Sequence, residues 1–330
     1  MYIPVCVLKN SIAVGGLIKN KMEKVDIVLS IYNPDKTFLV KQLQSLNNQS
    51  WENIEIIIYD DCIKNRCDTS IFEEVLTEKK WRMLPYKDVN LQYTKAFEEL
   101  VRQTDGEYVA FCDQDDIWDR KKIEKCVKVL KEDNTDLVAT DRSLIDKDDK
   151  ITCPSVRHYH PKPENSWNTY DDIGKYNFFV TYAVGMSMVM RGDFVRSVVP
   201  FSKYTGHDKW VLACASACNG VSFLDEVLVS YRRHGNNVSG VLRGISSKKE
   251  YVEKRAVPHL NLIKDFIERF PNYSGAYEAL DFAEARVSHD IIKLFKYRYL
   301  ARDMAKFEIA LAIIPNFLFK YIIQALQKRK

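Results

Sequence analysis

Glycine is scarce in this 330-residue sequence, which contains only 12. None of them forms GxGxxG or GxxxxGK, the motifs by which the commonest nucleotide-binding folds hold phosphate. In those folds the glycines let backbone N–H groups approach the phosphates closely. Their absence argues against dinucleotide-binding and P-loop folds. Any phosphate bound by this chain would have to be held by other groups, such as a metal ion.

Paired cysteines are also lacking. The eight cysteines contain no CxxC pair, and the closest spacings are Cys62/Cys67 and Cys214/Cys218. Several lie in apolar runs, as Cys112 does, where a free thiol behaves as a small hydrophobic side chain. This usage predicts a reducing cytoplasm and argues against a structural zinc site. No convincing signal peptide is visible in residues 1–24, which we interpret as an N-terminal extension.

The composition is that of an ordinary globular protein, with 46% apolar and 28% charged residues. The net charge of +4 conceals an asymmetry, because the segment from Lys293 to Lys330 holds nine Lys/Arg against two acidic residues. The rest of the chain is therefore net negative. We expect no nucleic-acid partner, and the sequence leaves the oligomeric state open.

Short apolar runs alternate with helical patterns along the first half of the chain. This alternation predicts βαβ units, and hence an α/β fold with a mostly parallel sheet flanked by helices. The predicted strands are residues 25–33, 54–61, 82–86, 107–116 and 136–141.

The second half is predicted less uniformly. Residues 142–178 look irregular and are interpreted as a lid or insertion, with ligation of a metal by His158 and His160 as a less favoured alternative. A strand at 185–191, a helix from His207, and two strands, "VSFL" and "VLVSYR", are expected next. From Ser246 onward the pattern is helical.

Polar residues gather where three of the predicted strands end: Tyr32-Asn33, Asp60-Asp61 and Asp113 to Asp116. In parallel sheets ligands bind beyond the carboxyl ends of the strands. The stretch "AFCDQDDIWD" places four acidic side chains within seven residues, and they would raise each other's pKa values unless a positive charge lay among them. A solvated acidic turn before the helix near Lys121 is the alternative, but the shared position favours a functional cluster.

Asp113 and Asp115 are spaced so that both carboxylates would face one site if the segment were extended. Mg²⁺ or Mn²⁺ takes oxygen ligands from one or two carboxylates and completes its shell with phosphate oxygens and water. The sequence therefore predicts a nucleotide diphosphate bound with its metal at this edge of the sheet.

Six blocks follow one another in an order that resembles family 2 glycosyltransferases of the GT-A fold. They look most like the bacterial rhamnosyltransferase-type members that build surface polysaccharides. The resemblance covers residues 25 to about 240. The blocks are "VDIVLSIYNPD", "IIIYDD", "GEYVAFCDQDDIWDRKKI", "VGMSMVMR", "GHDKWVLACAS" and "LVSYRRHGNNVSG".

The resemblance implies roles for residues at the strand ends. The first-strand segment would hold the nucleotide base, and a carboxylate after the second strand would bond a pyrimidine. The first acid of the Asp-x-Asp motif would lie near ribose and metal, and the second would bind the metal directly. The first-strand segment is Ser30, Tyr32 and Asn33, and the carboxylate after the second strand is Asp61. The first and second acids of the Asp-x-Asp motif are Asp113 and Asp115.

The resemblance also implies a catalytic base and two histidine roles. Asp208 occupies the position of the base, and His207 replaces a glutamate that usually precedes it and is expected to contact the nucleotide sugar. His234 matches a position that approaches the diphosphate or the metal. Structural alternatives are a helix-start acid for Asp208, a neighbour of the helix N-cap for His207, and a turn-ordering role for Asp60. Arg232 and Arg233 would either pair with phosphate or form a solvated pair.

The implied reaction is inverting transfer of a sugar to a hydroxyl of a growing cell-surface polysaccharide, dependent on Mn²⁺ or Mg²⁺. The donor would be thymidine diphosphate rhamnose or a uridine diphosphate sugar, and the acceptor a glycan, with a lipid-linked glycan as one candidate. A metal-dependent sugar nucleotidyltransferase and a non-catalytic scaffold of a polysaccharide assembly remain as alternatives.

The resemblance and the pattern together divide the chain into an extension (1–24), a GT-A domain (25–245) and a helical C-terminal region (246–330). The run "FEIALAIIPNFLFKYIIQAL" (307–326) is too interrupted to suit a membrane-spanning helix. Its basic flanks fit a helix lying at the inner face of the plasma membrane. Packing on the domain or on a second subunit is the alternative.

Overall fold

The computed structural model describes residues 22–234 and 245–327. Its strands form one nine-stranded sheet with the order β3-β2-β1-β4-β8-β6-β9-β5, and β7 pairs with β6 at the side. The strands are β1 Val25–Ile31, β2 Ile54–Asp60, β3 Lys80–Met83, β4 Tyr108–Cys112, β5 Ile117–Trp118, β6 Leu137–Ile145, β7 Ile151–Cys153, β8 Met188–Arg191 and β9 Val221–Arg232.

The sheet has a parallel half and a mixed half. Strand β1 pairs in parallel with β2 and with β4, and β2 pairs in parallel with β3. Strand β8 runs antiparallel between β4 and β6, whereas β6 and β9 are parallel. The carboxyl ends of β1, β2 and β4 therefore lie at the same edge, as the sequence predicts.

Helices cover both faces of the sheet and form the C-terminal region. The side chains of β1 alternate between two large apolar cores, one on each face, so that Val28 lies in one and Ile27 and Leu29 lie in the other. The helices are α1 Lys36–Asn47, α2 Ser70–Val75, α3 Gln92–Arg102, α4 Lys122–Glu132, α5 Val156–Tyr159, α6 Gly174–Asn177, α7 Gly192–Ser197, α8 His207–Ala217, α9 Lys248–Tyr251, α10 Val257–Arg269, α11 Gly275–Ser288, α12 Ile291–Lys296, α13 Arg302–Ile313 and α14 Asn316–Gln327.

The prediction of two separate strands after α8 is wrong, because β9 is continuous. Strand β6 runs on to Ile145 and gives β9 a partner along its whole length. The register shifts between Thr140 and Asp141, so that Thr140 faces Leu224 and Asp141 faces Val227. A β-bulge of this kind absorbs the two acidic residues between the apolar runs without ending the strand.

Residues 142–178 are more ordered than predicted, since they contain the end of β6 together with β7, α5 and α6. The buried carboxylate of Asp141 accepts hydrogen bonds from the Ser155 hydroxyl and, at 3.1 Å, from the Arg157 backbone N–H. His158 Nε2 lies 3.2 Å from Asp225 Oδ1. The segment is thus tied to the sheet rather than loosely inserted.

The C-terminal apolar run forms two helices instead of one, because α13 ends before Ile314-Pro315 and α14 begins after it. Phe319 and Ile323 of α14 are buried in a small core with Tyr251, so the alternative that the run packs on the protein is confirmed for this face. Among the residues that the structure describes, no helix has both the length and the apolar character needed to cross a membrane.

Candidate active site

The ends of β1 and β4 are joined by the side chain of Gln114. Its Oε1 accepts the backbone N–H of Tyr32 at 2.8 Å, and its Nε2 donates to the Tyr32 carbonyl at 3.3 Å. The Tyr32 ring remains 56% exposed. Ser30, two residues earlier on β1, is half-buried and lies beside Tyr59 of β2 in the parallel register. A residue between the two predicted acids therefore holds the strand ends in place, a role not assigned from the sequence.

The two aspartates at the end of β2 have different environments. Asp60 accepts the backbone N–H groups of Cys62 at 2.9 Å and Cys67 at 2.8 Å, which confirms its turn-ordering role. Asp61 accepts the backbone N–H of Leu91 at 2.7 Å, and burial raises the pKa of its carboxyl group. Asn33, at the end of β1, has a positive φ of 43°.

The acidic loop is bent rather than extended, because β4 ends at Cys112. The prediction that alternate residues of an extended segment point the same way is therefore wrong. The charges nevertheless interact: burial first, and then the charges of Asp115 and Asp208, raise the pKa of Asp113. Asp116 is fully buried, and burial together with its acidic neighbours raises its pKa well above the usual value.

An internal cation lies behind this loop. Lys122 is fully buried at the start of α4, where its Nζ donates to the Met186 carbonyl and lies 3.0 Å from the centroid of the Trp118 ring. Burial lowers the pKa of Lys122 to about 7, and its charge lowers the pKa values of Asp113 and Asp116. Part of the positive charge that the acidic cluster requires is thus built into the fold.

The sequence contains a signal for this lysine. Lys122 stands four residues before Cys126 and eight before Leu130, on the face of α4 that is buried. A lysine on the apolar face of an amphipathic helix indicates a buried charge, and buried charges are paired.

The end of β9, which is distant in the sequence, contacts the acidic loop. Arg232 is fully buried, and its backbone N–H donates to Asp116 Oδ1 at 3.0 Å while its Nε donates to the Asp115 carbonyl at 2.8 Å. The expectation that Arg232 forms a solvated pair or contacts phosphate is therefore wrong, since its guanidinium is used inside the protein. Arg233 is exposed. His234 Nε2 lies 2.8 Å from Asp115 Oδ2, and both side chains are 18% exposed.

The predicted metal ligands are only partly assembled. No three ligand atoms of Asp113, Asp115 and His234 lie within 4.8 Å of one another. Among the described residues the one tight acidic group is formed by Asp26, Glu55 and Asp105, near the opposite ends of the parallel strands. The ammonium of Lys24 pairs with all three of these carboxylates. That group is an ion-pair cluster, and it does not need a metal.

Asp208 lies in the first turn of α8, where the helix dipole favours a carboxylate. Its Oδ1 accepts the backbone N–H of Lys209 at 2.7 Å. A Cβ at Gly206, the residue before the helix, would lie 2.7 Å from this oxygen. Glycine at that position therefore leaves room for the carboxylate, whose charge also reaches Asp113 on the acidic loop.

His207 is a packing side chain in this structure. Its ring stacks on Phe97 with centroids 3.8 Å apart, meets Phe111 edge-on at 4.8 Å, and is 7% exposed. Within the described part of the chain neither ring nitrogen has a hydrogen-bond partner, and burial lowers the pKa of the ring to about 4. The neutral ring supports the start of α8, and its contact with a nucleotide sugar stays a prediction.

The candidate site cannot be located by the size of a cavity. A surface cavity of about 800 Å³ lies between α1 and β5, where it is lined by residues such as Gln44, Asn48 and Arg120. None of the residues predicted to bind the donor or the metal lines it. We locate the site instead by the convergence of Asp61, Asp113 to Asp116 and Asp208.

The family profile and the individual relatives found by sequence comparison agree with each other. The profile described as "Glycosyl transferase family 2" matches residues 26–196. An uncharacterized glycosyltransferase of Nostoc sp. is 24% identical over 251 residues, which are 74% of this chain and 76% of the relative. TuaG of Bacillus subtilis, named as a teichuronic acid biosynthesis glycosyltransferase, is 23% identical over 240 residues, 73% of this chain and 90% of the relative. The profile match ends before Asp208.

Structural comparison supports the fold. The crystal structure of S. aureus TarS 1-349 superposes with a TM-score of 0.56 at 13% identity, covering 86% of this chain and 82% of that 1-349 chain. The same protein has been solved in complex with UDP-GlcNAc and with UDP. The likeness extends beyond the residues that the family profile matches.

Proposed function

The chain belongs to glycosyl transferase family 2 and has a GT-A fold, and from this premise we propose that it is an inverting enzyme. It would move a sugar from a nucleotide diphosphate sugar to a hydroxyl of a growing cell-surface polysaccharide. The observation that carries the proposal is that α8 begins against β4, where the ring of His207 meets that of Phe111 edge-on at 4.8 Å, two residues before Asp113. The proposed base would therefore lie near the donor acids, in keeping with the effect of its charge on the pKa of Asp113. Residues 25–245 would form the catalytic domain, preceded by the 1–24 extension and followed by the helical region 246–330.

The donor would bind across the carboxyl ends of β1, β2 and β4. Ser30, Tyr32 and Asn33 would hold the base, and Asp61 would accept a hydrogen bond from a pyrimidine. The exposed Tyr32 ring offers a surface for stacking. Thymidine diphosphate rhamnose and uridine diphosphate sugars both carry a pyrimidine. The uridine class gains support from TarS, which was crystallised with UDP-GlcNAc.

The chemistry of the acidic loop fits a divalent cation. Asp115 is partly exposed beside His234, and burial, followed by the charges of Asp115 and Asp208, raises the pKa of Asp113. Two protein ligands suffice for Mg²⁺ or Mn²⁺ when phosphate oxygens and water complete the shell. Asp115, with Asp113 and His234, would hold the ion, which when bound neutralises charge on the leaving diphosphate.

Asp208 would act as the general base. In this role its carboxylate accepts the proton of the acceptor hydroxyl as that oxygen attacks the anomeric carbon from the side opposite the diphosphate. Displacement from that side inverts the anomeric configuration. The fixed position of the carboxylate at the start of α8 supplies the orientation that general base catalysis requires.

We expect the purified chain to release nucleoside diphosphate from one donor in a screen of uridine diphosphate sugars and thymidine diphosphate rhamnose. Release should require Mn²⁺ or Mg²⁺ and should stop when the ion is chelated. The matched control is the same reaction without the protein. Release of pyrophosphate would instead identify a nucleotidyltransferase, and no release from any donor with any acceptor would contradict the proposal.

The C-terminal helices carry an exposed apolar surface, defined by Ile313, Phe317, Leu318 and Tyr321, of which three are about 70% exposed. Basic residues accompany it, including the exposed Lys306 and, in the sequence, Lys328, Arg329 and Lys330. Apolar and aromatic side chains beside cations are typical of peripheral attachment to anionic lipid. We propose that this C-terminal apolar surface holds the enzyme at the cytoplasmic face of the membrane.

Replacing both Phe317 and Tyr321 by serine is expected to reduce binding to anionic liposomes by at least about tenfold, since each buried aromatic contributes roughly 1.5–3 kcal/mol. Flotation with anionic liposomes measures this loss of binding. A deletion at Lys296 would be a poorer test, because it removes Glu308, the partner of the buried Arg286. Ile151→Ser, at an exposed apolar residue of β7, is the control. Equal flotation of the double variant and the unchanged chain would refute the attachment.

A further inference from the structure

Basic side chains from α8, α10, α11 and the segment 252–256 converge beside Asp208. Lys209 follows the proposed base directly, His259 lies on α10 and Arg286 on α11. Burial, and then the charges of Arg286, Lys209 and Arg255, lower the pKa of His259 well below its usual value. The charged groups that lower this pKa are all cations.

Arg286, the most buried residue of this group, makes its contacts within the protein. Arg286 is 1% exposed, and its Nε donates to Glu308 Oε1 at 2.9 Å. One of its terminal nitrogens pairs with His259 Nδ1. Because the arginine can only donate, Nδ1 accepts, and the proton of the neutral imidazole lies on Nε2. His259 therefore directs an N–H donor away from Arg286.

Lys209 is the member without a partner. Its ammonium makes no hydrogen bond or ion pair with any side chain in the described part of the chain, although the residue is half-buried. Burial lowers its pKa to about 8, although the charge of Asp208 acts in the opposite direction. Taking a charged group partly out of water without pairing it costs free energy. Such a cost is typical of a group that is paired by a ligand.

The backbone around Lys209 is held firmly. Its carbonyl accepts a hydrogen bond from Asn177 Nδ2 at 2.8 Å. The ring of Phe179, just after α6, lies 5.7 Å from His259 and 5.9 Å from the guanidinium of Arg286, measured to ring centroids. Phe179 thus packs against both His259 and Arg286, and the cationic group is part of the packed structure.

We propose that Lys209 and His259, backed by Arg286, bind an anionic group of the acceptor beside Asp208. The inference rests on the proposed function, because it takes Asp208 to mark the acceptor hydroxyl. The donor diphosphate belongs to the acidic loop, so a second group of cations next to the base serves the other substrate. The ligand chemistry is a phosphate or a carboxylate, carried by the glycan or by the diphosphate of a lipid carrier.

Calorimetry on the full chain without donor tests the site. The probes are glycerol 3-phosphate, glucuronate and farnesyl diphosphate, with glucose as the neutral comparison. We expect at least one anion to bind and Lys209→Gln to weaken it by about tenfold or more, the usual effect of losing a charged hydrogen bond. Lys209→Arg should retain binding. Lys264→Gln, at an exposed lysine of α10, is the matched control and should behave as the unchanged chain.

The probe that binds identifies the source of the anion: a phosphate in the glycan, a uronic acid, or a lipid diphosphate. Equal binding by Lys209→Gln and the unchanged chain would overturn the proposal, as would absence of binding for all three anions. If Lys209→Gln did not fold, loss of binding in a folded His259→Phe variant would carry the test. Donor cleavage by the unchanged chain is measured separately, so that failure of the glycosyl transfer itself is distinguished from failure of the anion site.

Discussion

Asp208→Asn is expected to reduce glycosyl transfer by about 10²–10⁴-fold, the usual contribution of a general base, while donor affinity stays close to that of the unchanged chain. The amide has almost the same shape as the carboxylate, and its oxygen can still accept the Lys209 backbone N–H. The variant should therefore fold and bind the nucleotide, and only proton acceptance is lost. Transfer kinetics measures the loss of glycosyl transfer, and calorimetry measures the retained affinity for the donor.

Asp193→Asn provides a matched control for this variant. Asp193 lies in the first turn of α7, and its Oδ1 accepts the N–H of the next residue, Phe194, at 2.8 Å. The same chemical change in the same local geometry should leave transfer unchanged. If donor affinity fell together with transfer in Asp208→Asn, Asp208 would belong to the donor site and would not be the base.

Asp115→Ala is expected to lower turnover by at least about 10²-fold and to abolish its dependence on divalent cations. A metal that stabilises the leaving diphosphate contributes several kcal/mol, and each 1.36 kcal/mol is tenfold in rate. The side chain is partly exposed, so its removal should not unfold the protein. Turnover as a function of Mn²⁺ concentration, together with a thermal melt, measures both effects.

Asp119→Ala is the control for the acidic run. Asp119 is exposed, and its carboxylate accepts only local contacts such as the Lys121 N–H at 2.8 Å. If nonspecific negative charge attracted the cation, this variant would lose activity as well. Turnover near that of the unchanged chain in a folded Asp115→Ala protein would rule out Asp115 as the metal ligand.

The parallel half of the sheet could be predicted from the sequence because its signals are local. Each of β1, β2 and β4 is a short apolar run followed by polar residues, and the pairing of parallel strands then brings those residues to one edge. This reasoning predicts that Asp61, Asp113 and Asp115 lie at that edge. The placement of Asp208 at the start of a helix was likewise visible in "GHDKWVLACAS".

The remaining features depend on contacts between distant parts of the chain. The sequence predicts a phosphate contact or a solvated pair for Arg232, because nothing near it in the sequence indicates that it meets Asp116. The continuity of β9 depends on β6, which supplies its hydrogen-bond partners. The neutral state of His207 follows from Phe97 and Phe111, which stand about a hundred residues earlier. Periodicity within a window of residues cannot reveal such neighbours.

The attachment of the acidic loop to Arg232 has a consequence for how the protein is made. Because synthesis starts at the N-terminus, the strands β1, β2 and β4 leave the ribosome before β9. The residue that anchors Asp116 follows it by 116 positions. His234, which contacts Asp115, comes later still.

A nascent chain therefore contains β1, β2 and β4 well before the acidic loop can be anchored. Until β9 pairs with β6, the loop lacks its buried arginine, and the proposed metal ligands Asp115 and His234 are not brought together. The order of synthesis thus keeps the proposed catalytic centre incomplete until β9 has been made. A fragment that ends before β9 would contain the strands β1, β2 and β4 but would lack the residues that hold the acidic loop in place.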